Sequence, residues 1–395
     1  MTKLFELRVS IGAIHCPAVF TASQRDLHHM KIIKRLLIGL LAVAAVVFAG
    51  LAGVAYFLHT PIPEERLLRM KQSSQFLDGA FVNVEPQAAT EITWDFLKEQ
   101  FFGQQKRKPD GVIPVVPVEP EEFTKPASQS LKATWFGHAS VLVELEGKRI
   151  FIDPVFSERV SPVSHVGPRR LHPVPIELSK VANIDAVVIS HNHYDHLDEI
   201  TIRHLAADGT HFYVPLGVGA HLDAWDIDSS QIHEMAWWQE AVLDELKIVA
   251  TPSRHYSGRG LLDYKRTQWA SWALVGSRER AFYSGDSGYS KLFAEIGEKL
   301  GPFDLSIIKI GAYGPTQAWL DIHMTAENAV RTHQDLHGRK MLPVHWATFN
   351  LAIHGWDEPI RRAIQAAQSN SSTLLTPKVG QPVYSNQDFT NEQWW

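Results

Sequence analysis

Residues 191–196 place four possible metal ligands within six positions, directly after an apolar run that predicts a buried strand. Imidazole and carboxylate groups suit zinc, and one zinc ion needs three or four of them on one side. In an extended backbone, side chains two residues apart point the same way, so His191 and His193 can bind one ion together. Asp195 and His196 then remain available for a second ion. The segment therefore predicts the metal site of a metal-dependent hydrolase.

Composition narrows the classes of protein that fit this motif. The chain has 395 residues, 45% hydrophobic and 21% charged, which is enough for a large core. Its net charge of -5 comes without a basic block in the globular part, which argues against a nucleic-acid partner. Cys16 is the only cysteine, so we expect no disulfide framework, and histidine and aspartate alone would hold a zinc ion.

Residues 36–58 form an uncharged apolar run long enough to cross a bilayer. Basic residues precede it at Lys31, Lys34 and Arg35, which predicts a single-pass protein in the cell membrane. Its N-terminus would be cytoplasmic and the rest exported to the periplasmic or extracellular side. The run exceeds the core of a cleaved signal, so an uncleaved anchor is expected, although its small residues leave cleavage open. A buried core helix is the alternative, and the lack of a polar stripe argues against it.

The pattern divides the chain into four segments. Residues 1–29 are expected to be disordered or untranslated, with Met30 as the start site, and residues 30–58 form the anchor. Residues 59–128 read as an extended linker with one short amphipathic helix at 91–102. Its five prolines between residues 106 and 126 exclude a helix there and disfavour a central strand. Residues 129–395 form the predicted catalytic domain.

Strands that end in possible ligands recur through this last segment. Strands are predicted at 133–136, 140–145, 149–152, 185–190, 247–250, 280–284, 305–310 and 341–344, and helices at 198–207, 291–300, 326–336 and 358–367. Four of these strands lead into a histidine or aspartate, namely His191, His255, Asp286 and His345. Because loops at the carboxyl ends of strands converge in α/β proteins, we expect one shared site.

These residues resemble a known family. The motif His-Asn-His-Tyr-Asp-His is similar to the signature of the metallo-β-lactamase superfamily, and further segments resemble its N-acylphosphatidylethanolamine-hydrolysing phospholipase D group. The matching stretches are 134–140, 167–170, 184–198, 284–289, 301–305, 310–315 and 344–349. The resemblance implies an α/β fold, a four-layered αββα sandwich that carries two zinc ions.

The resemblance also implies a role for each ligand. His191, His193 and His255 would hold the first zinc ion, Asp195, His196 and His345 the second, and Asp286 would bridge them. His323 would contact the substrate phosphate or donate a proton to the leaving alkoxide, and His138 would either take part in the site or brace it from a strand end. Asp195, Asp286 and His323 are therefore the expected catalytic residues.

Two zinc ions can activate a bridging hydroxide for in-line attack on a phosphodiester. The resemblance implies that the substrate is an N-acylphosphatidylethanolamine-like phospholipid. Tyr313 and Trp346 could line a groove for its acyl chains or simply pack the core. Residues 315–320, which border the substrate entrance in the family, show little similarity beyond length. A homodimer is one possible assembly.

Other hydrolases share this scaffold, so a lactonase or β-lactamase acting on another small molecule stays an alternative. A non-catalytic, membrane-tethered metal-binding module is a second alternative from a different class. A full set of ligands argues against that second reading. An RNA-processing role is disfavoured by the acidic balance and the export signal.

Overall fold

The structure, a computed structural model, describes residues 24–88 and 94–395. The chain divides into two compact units after Phe57. The predicted leader 1–29 lies mostly outside the described residues, and helix α1, Gln24–Phe57, begins six residues before Met30. Met30 as the start site therefore stays a prediction.

Helix α1 contains the predicted anchor. Its stretch His28–Phe57 has 30 residues, is apolar and long enough to cross a membrane, and its most apolar window is entirely unburied. Thirty helical residues extend about 45 Å, more than the hydrocarbon core of a bilayer needs. The described structure thus supports a candidate membrane span here.

The second unit contains the remaining helices and strands. Its helices are α2 Glu64–Lys71, α3 Trp94–Phe102, α4 Glu199–Ala206, α5 Gly219–Ala224, α6 Leu292–Leu300, α7 Gln317–Leu320, α8 Ala326–Asp335 and α9 Glu358–Ser369. Its strands are β1 Phe76–Leu77, β2 Ala80–Phe81, β3 Lys132–Gly137, β4 Ser140–Leu145, β5 Lys148–Ile152, β6 Ala186–Val188, β7 His211–Pro215, β8 Ile232–Met235, β9 Glu240–Leu243, β10 Leu246–Thr251, β11 Ser271–Val275, β12 Arg280–Tyr283, β13 Leu305–Lys309, β14 Lys340–Val344, β15 Thr373–Leu374 and β16 Pro382–Tyr384. Each strand and helix predicted between 129 and 395 is present. The start of the predicted helix 91–102 lies outside the described residues.

Two seven-stranded mixed sheets form the centre of this unit. The first has the order β16-β3-β4-β5-β6-β7-β8, antiparallel up to β5 and parallel from β5 onward. The second has the order β15-β14-β13-β12-β11-β10-β9, parallel up to β12 and antiparallel beyond it.

Alternating side chains place the first sheet between two apolar layers. In β4, Val141 and Val143 join a core cluster shared with the second sheet, whereas Leu142 joins a smaller cluster. That smaller cluster contains residues of α4 and α5, and the larger one contains residues of α6, α8 and α9. The order of layers is helix, sheet, sheet, helix, which confirms the αββα sandwich.

The segment 59–128, which the sequence predicts to be an extended linker, belongs to this compact unit, and its described part contributes to the core. Its apolar side chains Met70, Phe81, Ile113 and Phe123 are buried in the two core clusters. The prolines predict that no helix forms between residues 106 and 126, but a short 3₁₀ helix, Pro120–Phe123, is present there. Proline is tolerated in the first turn of a helix, where its missing N–H would have no helical partner. The proline pattern alone could not reveal that these apolar side chains complete the core.

Candidate metal centre

A bulge at the end of β3 directs His138 into the site. The pairing of β3 with β4 shifts between Trp135 and Gly137, and Gly137 has a φ of +94°. A Cβ at Gly137 would lie 2.6 Å from His172 Cε1, so only glycine fits there. The next residue, His138, is buried, and its Nε2 lies 2.9 Å from Asp195 Oδ2.

Three histidines bring their ring nitrogens together beside β6 and β10. His191 Nε2 lies 2.8 Å from His193 Nδ1, and His255 Nε2 lies 3.4 Å from that same nitrogen. Two nitrogens bound to one tetrahedral zinc ion at its usual bond length are about 3.3 Å apart. Residues 192–196 are bent rather than extended, yet the expected approach of His191 and His193 is present.

A second group forms around two carboxylates. Asp286 Oδ2 lies 3.1 Å from His345 Nε2 and 3.5 Å from His196 Nε2. Asp195 Oδ2 lies 3.5 Å and 3.4 Å from those same two nitrogens. Asp286 Oδ2 also lies 3.9 Å from His255 Nε2, so it stands between the two groups.

These residues fit a pair of cations. Within the described part of the chain, His196 Nε2, His345 Nε2 and Asp286 Oδ1 are buried without a hydrogen-bond partner. Burying such atoms unpaired costs about 1–3 kcal/mol each, and a bound cation would satisfy them. The histidine and aspartate ligands form overlapping groups, each with ligand atoms within 4.8 Å of one another. Nitrogen and carboxylate donors of this kind match a zinc site.

Further side chains orient the imidazoles. Asp153 Oδ2 accepts hydrogen bonds from His196 Nδ1 at 2.7 Å, from Ser190 Oγ at 2.5 Å and from the Tyr283 hydroxyl at 2.5 Å. The Nδ1 atom of His255 donates to the Ile322 carbonyl at 3.0 Å. Such contacts fix which ring nitrogen is free to bind a metal. The sequence analysis missed Asp153, although it follows a predicted strand just as the ligands do.

Burial and mutual charge set the protonation of the centre. Burial opposes ionisation of Asp286, but the neighbouring His345 and His196 hold its pKa well below the usual value. Burial and the nearby His196 hold the pKa of His191 well below its usual value. Burial likewise lowers the pKa of His193 to about 4. Burial opposes the charged form of His196, but Asp286 and Asp195 raise its pKa well above the usual value. Because ionised carboxylates and neutral imidazoles are the forms that bind a metal ion, a cation would have to displace the proton of His196.

Lys309 is a second residue that the sequence analysis missed. Its side chain is buried at the end of β13, and its Nζ donates to the Gly311 carbonyl at 2.5 Å. Burial lowers its pKa to about 8, although Asp286 and Asp195 favour the charged form. A lysine inside an apolar strand gives no sequence signal of a role beside the site.

The site opens on the side of Asp195 and His323. Their side chains are 15% and 14% exposed, whereas His196, His255, Asp286 and His345 are at most 2% exposed. His323 Nδ1 lies 3.6 Å from Asp286 Oδ2, and its backbone N–H donates to the Trp319 carbonyl of α7. Helix α7 thus holds His323 at the mouth of the centre.

The two residues predicted to line a groove for acyl chains are interior side chains. The Tyr313 hydroxyl donates to Glu358 at 2.7 Å. Trp346 stacks between Trp135, with ring centroids 5.6 Å apart, and Trp394, at 5.0 Å. Both contribute to packing, and a role in binding acyl chains stays a prediction.

Comparison with known proteins places this architecture in a family. The model of the beta-lactamase superfamily domain matches residues 148–346. The chain belongs to the beta-lactamase superfamily. Among solved structures, the isothiocyanate hydrolase from Delia radicum gut bacteria has the same fold as this chain, with a TM-score of 0.52 and 19% identity. That match covers 64% of this chain and 98% of the other.

Relatives with higher sequence identity align with most of this chain. An uncharacterized protein of Mycobacterium tuberculosis is 44% identical over 333 residues, which are 82% of this chain and 88% of that protein. The N-acyl-phosphatidylethanolamine-hydrolyzing phospholipase D 1 of Caenorhabditis elegans is 35% identical over 254 residues, or 62% of this chain and 71% of that protein. The expected superfamily is confirmed, and the chain is a metallo-hydrolase of the beta-lactamase fold.

Proposed function

We propose that this protein is a membrane-anchored di-zinc phosphodiesterase of phospholipase D type that acts on N-acylphosphatidylethanolamine-like phospholipids. The observation that carries the proposal is the convergence of two ligand groups on Asp286 Oδ2, at distances of 3.1 to 3.9 Å. The 35% identity to the phospholipase D of C. elegans supports a phosphodiester substrate over others used by the same fold.

Each residue has a place in this proposal. His191, His193 and His255 would hold one zinc ion, Asp195, His196 and His345 the other, and Asp286 both. When bound, the pair supplies Lewis acidity toward the phosphoryl oxygens and lowers the pKa of water to near neutrality. Asp153 and Ser190 keep the imidazoles oriented, so the ligands need little rearrangement.

The residues at the mouth would handle the substrate. His323, at the open side, would contact a phosphate oxygen or donate a proton to the leaving alkoxide. Lys309 adds a buried positive charge behind the carboxylates, which favours the binding of an anionic phosphodiester.

The anchor would set the location of the enzyme. Lys31, Lys34 and Arg35 fall within α1, ahead of its uncharged run, and predict a cytoplasmic N-terminus with an exported catalytic unit. A catalytic unit tethered in this way stays within reach of lipid, which fits a phospholipid substrate.

A substrate panel on the detergent-solubilised full chain tests the proposal. We expect N-acylethanolamine and phosphatidic acid from N-acylphosphatidylethanolamine, loss of activity with a chelator, and recovery with zinc. The Asp286→Ala variant is the matched control and should be inactive. Turnover of a lactone or a cephalosporin without the phosphodiester would favour the alternative hydrolases. Bound zinc without turnover of any substrate would favour a binding module.

A further inference from the structure

The loop formed by residues 258–264 exposes large apolar side chains beside the metal centre. Leu261 is 55% exposed, Leu262 is 73% exposed, and Tyr264 is 55% exposed. Exposed apolar residues gathered in one loop mark an interaction site more often than scattered ones do. The tip of this loop is therefore a candidate surface for contact with an apolar partner.

The loop is held in shape by its own hydrogen bonds. The carboxylate of Asp263 accepts from the backbone N–H of Arg259 at 2.8 Å and from that of Gly260 at 2.8 Å. These bonds turn the one acidic side chain of the loop toward its own backbone. Lys265 and Arg266 follow it in the sequence, so basic groups border the apolar tip.

The base of the loop is attached to the metal-binding motif. The Gly258 N–H donates to Asn192 Oδ1 at 2.8 Å, and Arg259 Nη1 donates to the Asn192 carbonyl at 2.9 Å. The Arg259 guanidinium also lies 3.9 Å from the centre of the Tyr194 ring. Asn192 and Tyr194 alternate with the ligands in the motif, so these contacts hold the loop in a fixed position relative to the metal centre.

A row of aromatic rings leads from the metal centre to the loop. The ring centroids of His193 and Tyr256 are 4.6 Å apart, and those of Tyr256 and Tyr264 are 5.4 Å apart. His193 is a proposed ligand, and Tyr264 is at the exposed end of the row. Direct ring contacts therefore connect the exposed loop to a proposed ligand.

The segment that follows α1 in the chain packs beside the same loop. A Cβ added to Gly260 would lie 3.2 Å from Leu58 Cβ, and Leu58 directly follows the last residue of α1. Thr60 Oγ1 lies 3.0 Å from His221 Nδ1, and His221 Nε2 lies 3.0 Å from Asn192 Nδ2. If α1 spans a bilayer, chain continuity keeps Leu58 at its surface, and the loop stays with Leu58.

We propose that the 258–264 loop inserts its tip into the bilayer that holds the anchor. Leu261 and Leu262 enter the boundary of the acyl chains, Tyr264 lies at the level of the headgroups, and the basic residues meet lipid phosphates. A phospholipid then passes from the bilayer to the open side of the metal centre without leaving the membrane surface. This inference rests on the membrane anchor and the lipid substrate of the proposed function.

A fluorescent probe tests insertion directly. The Leu262→Cys variant of the full chain, with Cys16→Ser, is labelled with an environment-sensitive dye and reconstituted in phosphatidylcholine vesicles. Val242→Cys is the matched control, since Val242 is 59% exposed and pairs with Lys247 near the start of β10, at the opposite end of that strand from the one that leads to His255. We expect blue-shifted emission and quenching by nitroxide lipids at position 262 alone. Emission typical of water at both positions would overturn the proposal, whatever the substrate is.

Activity gives a second test. The Leu261→Ser/Leu262→Ser variant in vesicles should hydrolyse N-acylphosphatidylethanolamine about tenfold or more slowly, because its loop loses apolar contact with lipid. Its rate on a soluble chromogenic phosphodiester should be unchanged, and Val242→Ser should keep both rates. Unchanged hydrolysis of the bilayer substrate by the double variant would contradict the proposal. Failure of the native protein on this lipid would instead overturn the proposed substrate, and the probe result alone would then decide the role of the loop.

Discussion

Asp153 Oδ2 accepts a hydrogen bond from His196 Nδ1 over 2.7 Å, and both side chains are completely buried. The bond fixes which ring nitrogen carries hydrogen and leaves His196 Nε2 for a metal ion. Asp153, which is not a proposed ligand, thus orients the proposed ligand His196.

The Asp153→Asn variant should bind zinc about 10–100-fold more weakly. An amide keeps the size of the side chain, but its NH₂ group cannot accept the hydrogen bonds that Asp153 takes from His196 and Ser190. Competition with a chromogenic chelator measures the affinity. Tyr283→Phe removes one donor and leaves the carboxylate, so a smaller loss is expected; equal affinity of Asp153→Asn and native protein would refute the role of Asp153.

The His323→Ala variant should keep its zinc and lose about 10²–10³-fold in kcat, because the role proposed for His323 is to act on the substrate, although it lies close enough to His255 and Asp286 to join them around an ion. Metal analysis and turnover on two phosphodiesters, one with an alkoxide and one with a p-nitrophenolate leaving group, measure this. A larger loss on the alkoxide substrate identifies a proton donor, and equal losses identify a phosphate contact. Loss of zinc or full activity would contradict the assignment.

The Arg66→Ala variant should lower the free energy of unfolding by up to about 3 kcal/mol, because Asp223 loses its arginine and the buried Glu234 keeps only its second arginine, Arg69. Arg66 binds Asp223 at 2.5 Å and Glu234 at 3.2 Å, and the Glu234 side chain is fully buried. Denaturant titration of the full chain in detergent measures the change. Arg361→Ala, which breaks a more exposed pair with Asp357, should cost less than about 1 kcal/mol. Similar losses of stability in the two variants would argue against a stabilising role for the buried ion pairs of Arg66.

Stability should also fall in mild acid. Burial lowers the pKa of His333 from 6.5 to about 4, so between these values the unfolded chain binds a proton that the folded chain does not. The contribution of His333 to the free energy of unfolding is therefore fully present above pH 6.5. It decreases as the pH falls toward 4, by up to roughly 1.4 kcal/mol per pH unit. Unfolding measured across this range should show a shallower slope for His333→Gln than for the native chain. An unchanged slope would contradict the prediction.

The strands that lead to the candidate ligands could be predicted from the sequence, because each combines a short apolar run with a histidine or aspartate just after its carboxyl end. His191, His255, Asp286 and His345 all follow this rule, and the structure brings them together. Asp153 obeys the same rule after β5 and could have been found by it.

Other features depend on partners that the local pattern does not contain. The strand β9 alternates between exposed and half-buried residues at a sheet edge, so it carries little apolar signal. Lys309 looks like a surface residue until β13 is seen to be buried along its whole length. The membrane-facing role proposed for residues 258–264 depends on Leu58, about two hundred positions earlier in the chain.

The metal content of purified Asp286→Ala, measured beside the native protein and His193→Ala, tests the central claim most directly. The native chain should carry two zinc ions. Both variants should lose zinc together with nearly all activity, because Asp286 stands between the two ligand groups and His193 joins His191 to His255. An Asp286→Ala protein that retains two zinc ions and full turnover would contradict the proposed centre.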